Sequence, residues 1–238
     1  MEIDSTQLPM DDPALVARRA LIMAAVVCRS HIEGEPGLTV TQELHSRVLE
    51  WLTKLELWPE VEAHEEKWLR APLGEMKPKD VNQARWYVEG LAVLAWALNQ
   101  QDFPLHDQKV DPYAVAESLK FLSEGADQFI LTAQLRSPVE IEAARELLYA
   151  IHCRLVDFRR NSGSKDFTDW IEKAWLTTLG LDAAHLIANN DLAVGGKTLS
   201  EGEPEQVRHC EYLTNERHKA IIWLAEGPLI YSQVAADT

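Results

Sequence analysis

Basic residues are scarce in this chain. It has 23 Lys and Arg against 38 Asp and Glu, for a net charge of −15 and a pI near 4.9. A nucleic-acid backbone is therefore not an expected partner, because phosphate contact needs a surplus of Lys and Arg. An anionic membrane is not expected either. The imbalance allows a basic protein partner, since complementary charge speeds association, while solubility is its plainer role. Cysteine is scarce too. Cys28, Cys153 and Cys210 lie far apart and in odd number, so no disulfide framework is implied, and free thiols in a reducing compartment are expected. Long apolar runs are missing: the longest, Ala20 to Cys28, is far too short to span a bilayer. The opening MEIDSTQLPMDD is acidic, unlike the basic start of a secretory signal. The expected location is cytoplasmic.

Motifs of chemistry are missing as well. Gly195-Gly196-Lys197-Thr198 resembles the end of a phosphate-binding loop. The glycine required five residues before Gly196 is Asp191, however, and no helix start follows. His64-Glu65-Glu66 begins like a zinc motif, but Trp68 stands where the second histidine would fall. Glu60 and His64 share a face of a highly charged segment and are expected to be solvated. His209 and His218 sit half a helical turn out of phase and face opposite ways. There is no G-x-S-x-G elbow. No metal and no cofactor is expected.

What is present is helical pattern. The apolar fraction is 46%, enough for a substantial core. Asp12-Pro13 opens a helix to about Glu33, which GEPG breaks. Thr39 with Gln42 reads as a capping box, for a helix to about Leu57. Pro59 starts a short charged helix, and Asp80 with Gln83 reads as the cap of WYVEGLAVLAWAL. Asp111-Pro112 opens another helix, and 123 to 136 could be strand or helix. Ser137-Pro138 with Glu140 is the clearest box, ahead of a long helix to Phe158 or beyond. One more helix ends at Gly180. Gly195-Gly196 reads as a two-residue hairpin turn at about 190–200, followed by a last helix over about 204–226. The expected fold is mainly α: a single multi-helix domain with one small β-hairpin before the C-terminal helix.

Several polar residues fall on apolar helices. Trp86, Glu89, Val93 and Trp96 line one stripe, and a buried carboxylate between indoles needs a partner or a cleft. Arg19 shares a stripe with Met23 and Val26. His152 lies between Ile151 and Leu155, near Arg145, Tyr149 and Arg159. In NERHKAIIWLAEG, Glu216 faces the side of Ala220 and Trp223, Arg217 the adjacent side, and Lys219 and Glu226 are expected in solvent. Convergence of Arg19, Glu89, His152, Glu216 and Arg217 in one pocket would give acid–base chemistry. The alternative is a structural ion-pair network holding helices in register.

The ordered set ARRALIMAAVVCRSHIE, WYVEGLAVLAWAL, the His152 helix, DLAVGGKTL, NERHKAIIWL and VAADT resembles the bacterial domain of unknown function 4272 family. The resemblance implies no activity. It marks Arg19, Glu33, Trp86, Glu89, Trp96, His152, Glu216, Arg217, His218, Ala220, Trp223 and Asp237 as family-type positions. The chain departs from the family at Ile222-Trp223-Leu224, where Asn-Trp-Leu is frequent. It departs again at Tyr231-Ser232, where Trp-Asp is frequent.

Three functions follow as expectations. The first is a non-enzymatic interaction module of immunity or adaptor type that binds a basic protein. The second is an enzyme or small-molecule binder using the Arg19/Glu89/His152/Glu216/Arg217 set. The third is a structural homo-oligomer.

Overall fold

A computed structural model describes residues 12–227 and 230–234. Among them are ten α-helices and a three-stranded antiparallel sheet ahead of the last helix, so the chain is mainly α. It divides into two compact units. One comprises Asp12–Gln101 and Val110–Leu135; the other comprises Asp102–Lys109 and the described residues from Arg136 onward. The family-type Asp237 lies outside the described residues.

The first unit is built on α1 (Pro13–Ile32) and α4 (Pro78–Ala97), which pack on one another. Asp12 caps α1 by accepting from Ala14 N at 2.9 Å, and Pro13 needs no partner at the first position. Both helices are apolar around most of their circumference, and such helices belong at the centre of a unit. Around α1 lie α2 (Thr39–Lys54), α3 (Ala63–Arg70) and α6 (Ala126–Thr132), while α5 (Pro112–Ser118) packs on α4.

Two sequence expectations about caps need correction. Thr39 is already helical. The hydroxyl in use there is that of Thr41, which donates to the Glu35 and Leu38 carbonyls, and Gln42 reaches the Pro36 carbonyl. Likewise α4 starts at Pro78, which places Asp80 inside the first turn, where a carboxylate favours the helix dipole without capping it. The ambiguous segment before Ser137 contains α6.

In the second unit α7 (Pro138–Asn161) and α10 (Pro204–Glu226) pack together, with α8 (Lys173–Leu179) on α7. The Ser137–Glu140 capping box forms as expected: Ser137 Oγ accepts from Glu140 N at 3.3 Å, and Glu140 accepts from Ser137 N at 3.0 Å. Gly180 ends α8 at φ +67°. After the single turn α9 (Ala183–Leu186) come β1 (Ile187–Ala188), β2 (Asp191–Val194) and β3 (Lys197–Thr198). The Gly195-Gly196 hairpin is present, with both residues at positive φ, between the paired residues Val194 and Lys197. A second tight turn precedes it. Asn189 and Asn190 also have positive φ, and they pair Ala188 with Asp191. Asparagine tolerates that region, so the Asn-Asn pair was a readable signal for β1.

The central strand β2 is buried throughout. Arg154 of α7 grips its first residue: Nε and an Nη of Arg154 each donate to the Asp191 carboxylate at 2.7 Å, and both side chains are fully buried. Arg154 also donates to the Gly163 carbonyl at 2.8 Å, and Asp191 accepts from Leu192 N at 2.8 Å. Removing one partner would strand a buried charge. Asp191→Ala is expected to lower the unfolding free energy by about 3–5 kcal/mol. The double variant Arg154→Met/Asp191→Leu is expected to recover most of that loss, and denaturant melts of the three proteins check both outcomes.

Candidate functional site

Of the five residues singled out in the sequence, Arg19 and Glu89 lie in the first unit and His152, Glu216 and Arg217 in the second. Arg19 is committed to α3. It donates with both terminal nitrogens to the Glu65 carboxylate, one of them at 3.0 Å, and Glu62 lies 3.9 Å away. Glu65 also accepts from Glu62 N at 3.0 Å, closing the capping box of α3. Burial by itself would lower the Arg19 pKa, but the attraction of Glu65 and Glu62 outweighs it and raises the pKa. The guanidinium thus forms a buried tie between α1 and α3. Glu89 is buried and accepts from Val110 N at 3.3 Å, just ahead of the α5 cap.

Arg217 is fully buried and donates to two backbone carbonyls, Leu105 and Gln108, each at 2.6 Å. The same loop is fastened by His106 Nε2, which donates to the Ala193 carbonyl at 2.6 Å, and by Asp107, which accepts from Gly195 N at 2.8 Å. Burial holds the His106 pKa below its ordinary value. Glu216 is half-buried on the same helix. Glu226 is exposed as expected. Lys219, expected in solvent, instead places its ammonium 4.9 Å from the centre of the Tyr231 ring.

His152 meets a residue that was only marked by family resemblance. Its ring lies 5.3 Å from the ring of His218, centre to centre, at 34°. The two histidines reach each other across the α7–α10 packing, and the half-exposed Tyr149 ring lies 5.9 Å from His218. Both nitrogens of His152, Nδ1 of His218 and Oδ1 of Asn215 are buried without a hydrogen-bond partner among the described residues. Burial first, then His152 and Arg145, push the His218 pKa down to about 4. Burial and Arg159 lower that of His152, and the neighbouring Asn215 side chain opposes the shift. Both imidazoles are therefore neutral at neutral pH.

Glu33, another family-type position, is a hub. It pairs with Arg29 and accepts from Gly74 N at 3.0 Å and Met76 N at 2.6 Å. Burial opposes its ionisation, but these donors outweigh it and lower the pKa. Glu62, His64 and Glu65 form a group that could in principle ligate a cation, with ligand atoms within 4.8 Å of one another. The Arg19 guanidinium already occupies Glu65 there. His64, expected in solvent, is hydrogen-bonded through Nε2 to the Tyr87 hydroxyl at 2.8 Å.

The sequence reading missed a groove in the first unit. A half-open space of about 210 Å³ is walled by α1 (Ala24, Val27, Cys28, His31), α2 (Leu44) and α5 (Tyr113, Ala116), with Phe121 and Leu122 at one end. Its lining is almost wholly apolar. The signal was there: positions 24, 27, 28 and 31 share one helical face, and Tyr113 and Ala116 lie one turn apart on α5. Burial pushes the Cys28 thiol pKa up to about 11, against the pull of Arg29, so that thiol is unreactive at neutral pH.

Fold and charge together describe an acidic, mainly helical protein with a neutral histidine pair in one unit and an apolar groove in the other. The profile of the family described as "Domain of unknown function (DUF4272)" matches residues 3–167, more than half of the chain, and the chain belongs to that family. The matched span contains Arg19, Glu33, Glu89 and His152 and stops before Glu216, Arg217 and His218. No curated protein and no solved structure matches the chain. Among the described residues no helix is long and apolar enough to cross a membrane.

The histidine pair has a definite pH consequence. The folded-state pKa of His218 lies below the unfolded value near 6.5, so the unfolded chain binds the extra proton. This contribution to stability is complete above about pH 6.5 and is lost as pH falls toward about 4, on the order of 3 kcal/mol in all. Melting temperatures measured from pH 7.5 to 4.5 are expected to fall less steeply in His218→Phe than in the parent. Equal slopes would contradict the burial of a neutral ring.

Proposed function

We propose that this protein is a non-enzymatic interaction module that binds a basic protein partner, of the immunity or adaptor kind, in the bacterial cytoplasm. The observation that carries the reading is the disposition of charge. Arg19, Arg29, Arg154 and Arg217 are buried and occupied by internal carboxylates and carbonyls. Four carboxylates, Glu33, Glu65, Glu89 and Asp191, are buried with them, so burial cancels and the whole surplus of −15 stays with the remaining residues. Complementary charge steers a basic partner to such a surface.

The experiment is capture on the immobilised chain followed by reconstitution. Retained proteins are expected to be basic, to re-form a defined complex from purified components, and to dissociate as ionic strength rises. A chain that retains no basic protein, or a complex that tightens with salt, would overturn the reading. Light scattering on the same purified chain tests the homo-oligomer directly.

A second reading, an enzyme or small-molecule binder, draws on the His152–His218 pair, because unpartnered buried nitrogens are uncommon in native proteins. Ligand binding or turnover that disappears in His152→Ala at an unchanged melting temperature would favour it.

A further inference from the structure

The groove between α1, α2 and α5 is almost wholly apolar, and the chain segments that wall it carry exposed charge of one predominant sign. Exposed Glu35, Glu43, Asp111, Glu117 and Glu124 adjoin its lining residues in the chain. The exposed cations similarly placed are Arg47 and Lys120, and Arg47 is engaged with the Leu122 carbonyl at 2.9 Å. Tyr113, at the mouth, is 77% exposed, a large aromatic surface in water. His31 stands beside it, ring centres 6.4 Å apart. Its Nδ1–H donates to the Val27 carbonyl at 2.8 Å, which fixes the ring on α1.

From these features we infer that the groove is where the basic partner docks, and that it receives one bulky apolar side chain from a lysine- or arginine-rich segment. The inference rests on the interaction-module reading and gives it a place and a chemistry. The volume suits a single leucine, phenylalanine or tryptophan side chain, the anchor type around which interfaces concentrate their energy. The surplus of exposed carboxylates on the walling segments selects for cations flanking that anchor, and His31 stands at the mouth beside Tyr113. An acidic or neutral segment carrying the same anchor would meet like charge or none.

The test uses the whole chain and a short fluorescent lysine-rich peptide bearing one tryptophan, read by anisotropy. Three control peptides replace tryptophan by alanine, lysine by glutamate, or both. Ala116→Trp fills the groove from a half-buried helix position. Tyr113→Ala alters an exposed residue that the fold does not need, and thermal melts confirm that both variants remain folded. The expected result is that the lysine/tryptophan peptide binds, and that loss of tryptophan, Ala116→Trp or Tyr113→Ala each weakens binding about ten-fold or more. Salt and the glutamate peptide weaken it further.

If the tryptophan and alanine peptides bind alike, or if Ala116→Trp changes nothing, the groove is not the docking point, while a basic partner bound elsewhere on the acidic surface still stands. If the glutamate peptide binds as well as the lysine one, the charge argument fails. If no peptide binds, the docking inference is overturned, and reconstitution with a captured basic protein decides separately whether the interaction module survives. A dimer in sedimentation that Ala116→Trp dissociates would assign the groove to a second copy of the chain, against the inference.

Discussion

A guanidinium cannot be left buried without partners, and this requirement organises both units. Arginine keeps its charge under all physiological conditions, so burial must be answered by acceptors. Arg19 answers it by tying α1 to α3, and Arg29 by gathering Glu33 and the Ala71 and Pro72 carbonyls around the loop before α4. Arg154 ties α7 to the first residue of β2, and Arg217 ties α10 to the loop at 105–108. In each case a planar donor fork fixes both distance and orientation, which apolar packing between smooth helices does not. The net stabilisation of such ties is modest, but breaking one is expensive, and that asymmetry enforces register.

The same requirement bears on function. The residues that looked most like catalytic candidates are those the fold consumes. Arg19 and Arg217 have their donors on internal acceptors, and Glu89 accepts from the peptide before α5. The unusual polar feature is neutral: two imidazoles against each other between α7 and α10, kept uncharged by burial. The unusual apolar feature is the groove, where α1, α2, α4 and α5 meet without filling the space between them. What the described surface presents is therefore carboxylate and exposed aromatic area.

Much of the fold was legible. Asp12-Pro13, Asp111-Pro112 and Ser137-Pro138 mark helix starts through interactions local to a few residues, and the structure has them. Gly180 and Gly195-Gly196 were readable because positive φ is a property of the residue. Thr39 and Asp80 misled for a related reason: cap motifs recur inside first turns, and only the flanking backbone shows where the helix begins. The pair Asn189-Asn190 was missed, although asparagine also tolerates positive φ, because β1 is only two residues long and gives no alternation to read.

By itself the sequence determined the helical class, most element boundaries, the late hairpin and the acidic surface, all set by local backbone preference or by composition. Tertiary structure alone decided the partners: Glu65 for Arg19, the Leu105 and Gln108 carbonyls for Arg217, His218 for His152, and the groove beside Tyr113. Helical periodicity says which way a side chain points along its own helix. What stands opposite is fixed by how other helices cross it, through contacts between residues far apart in the chain.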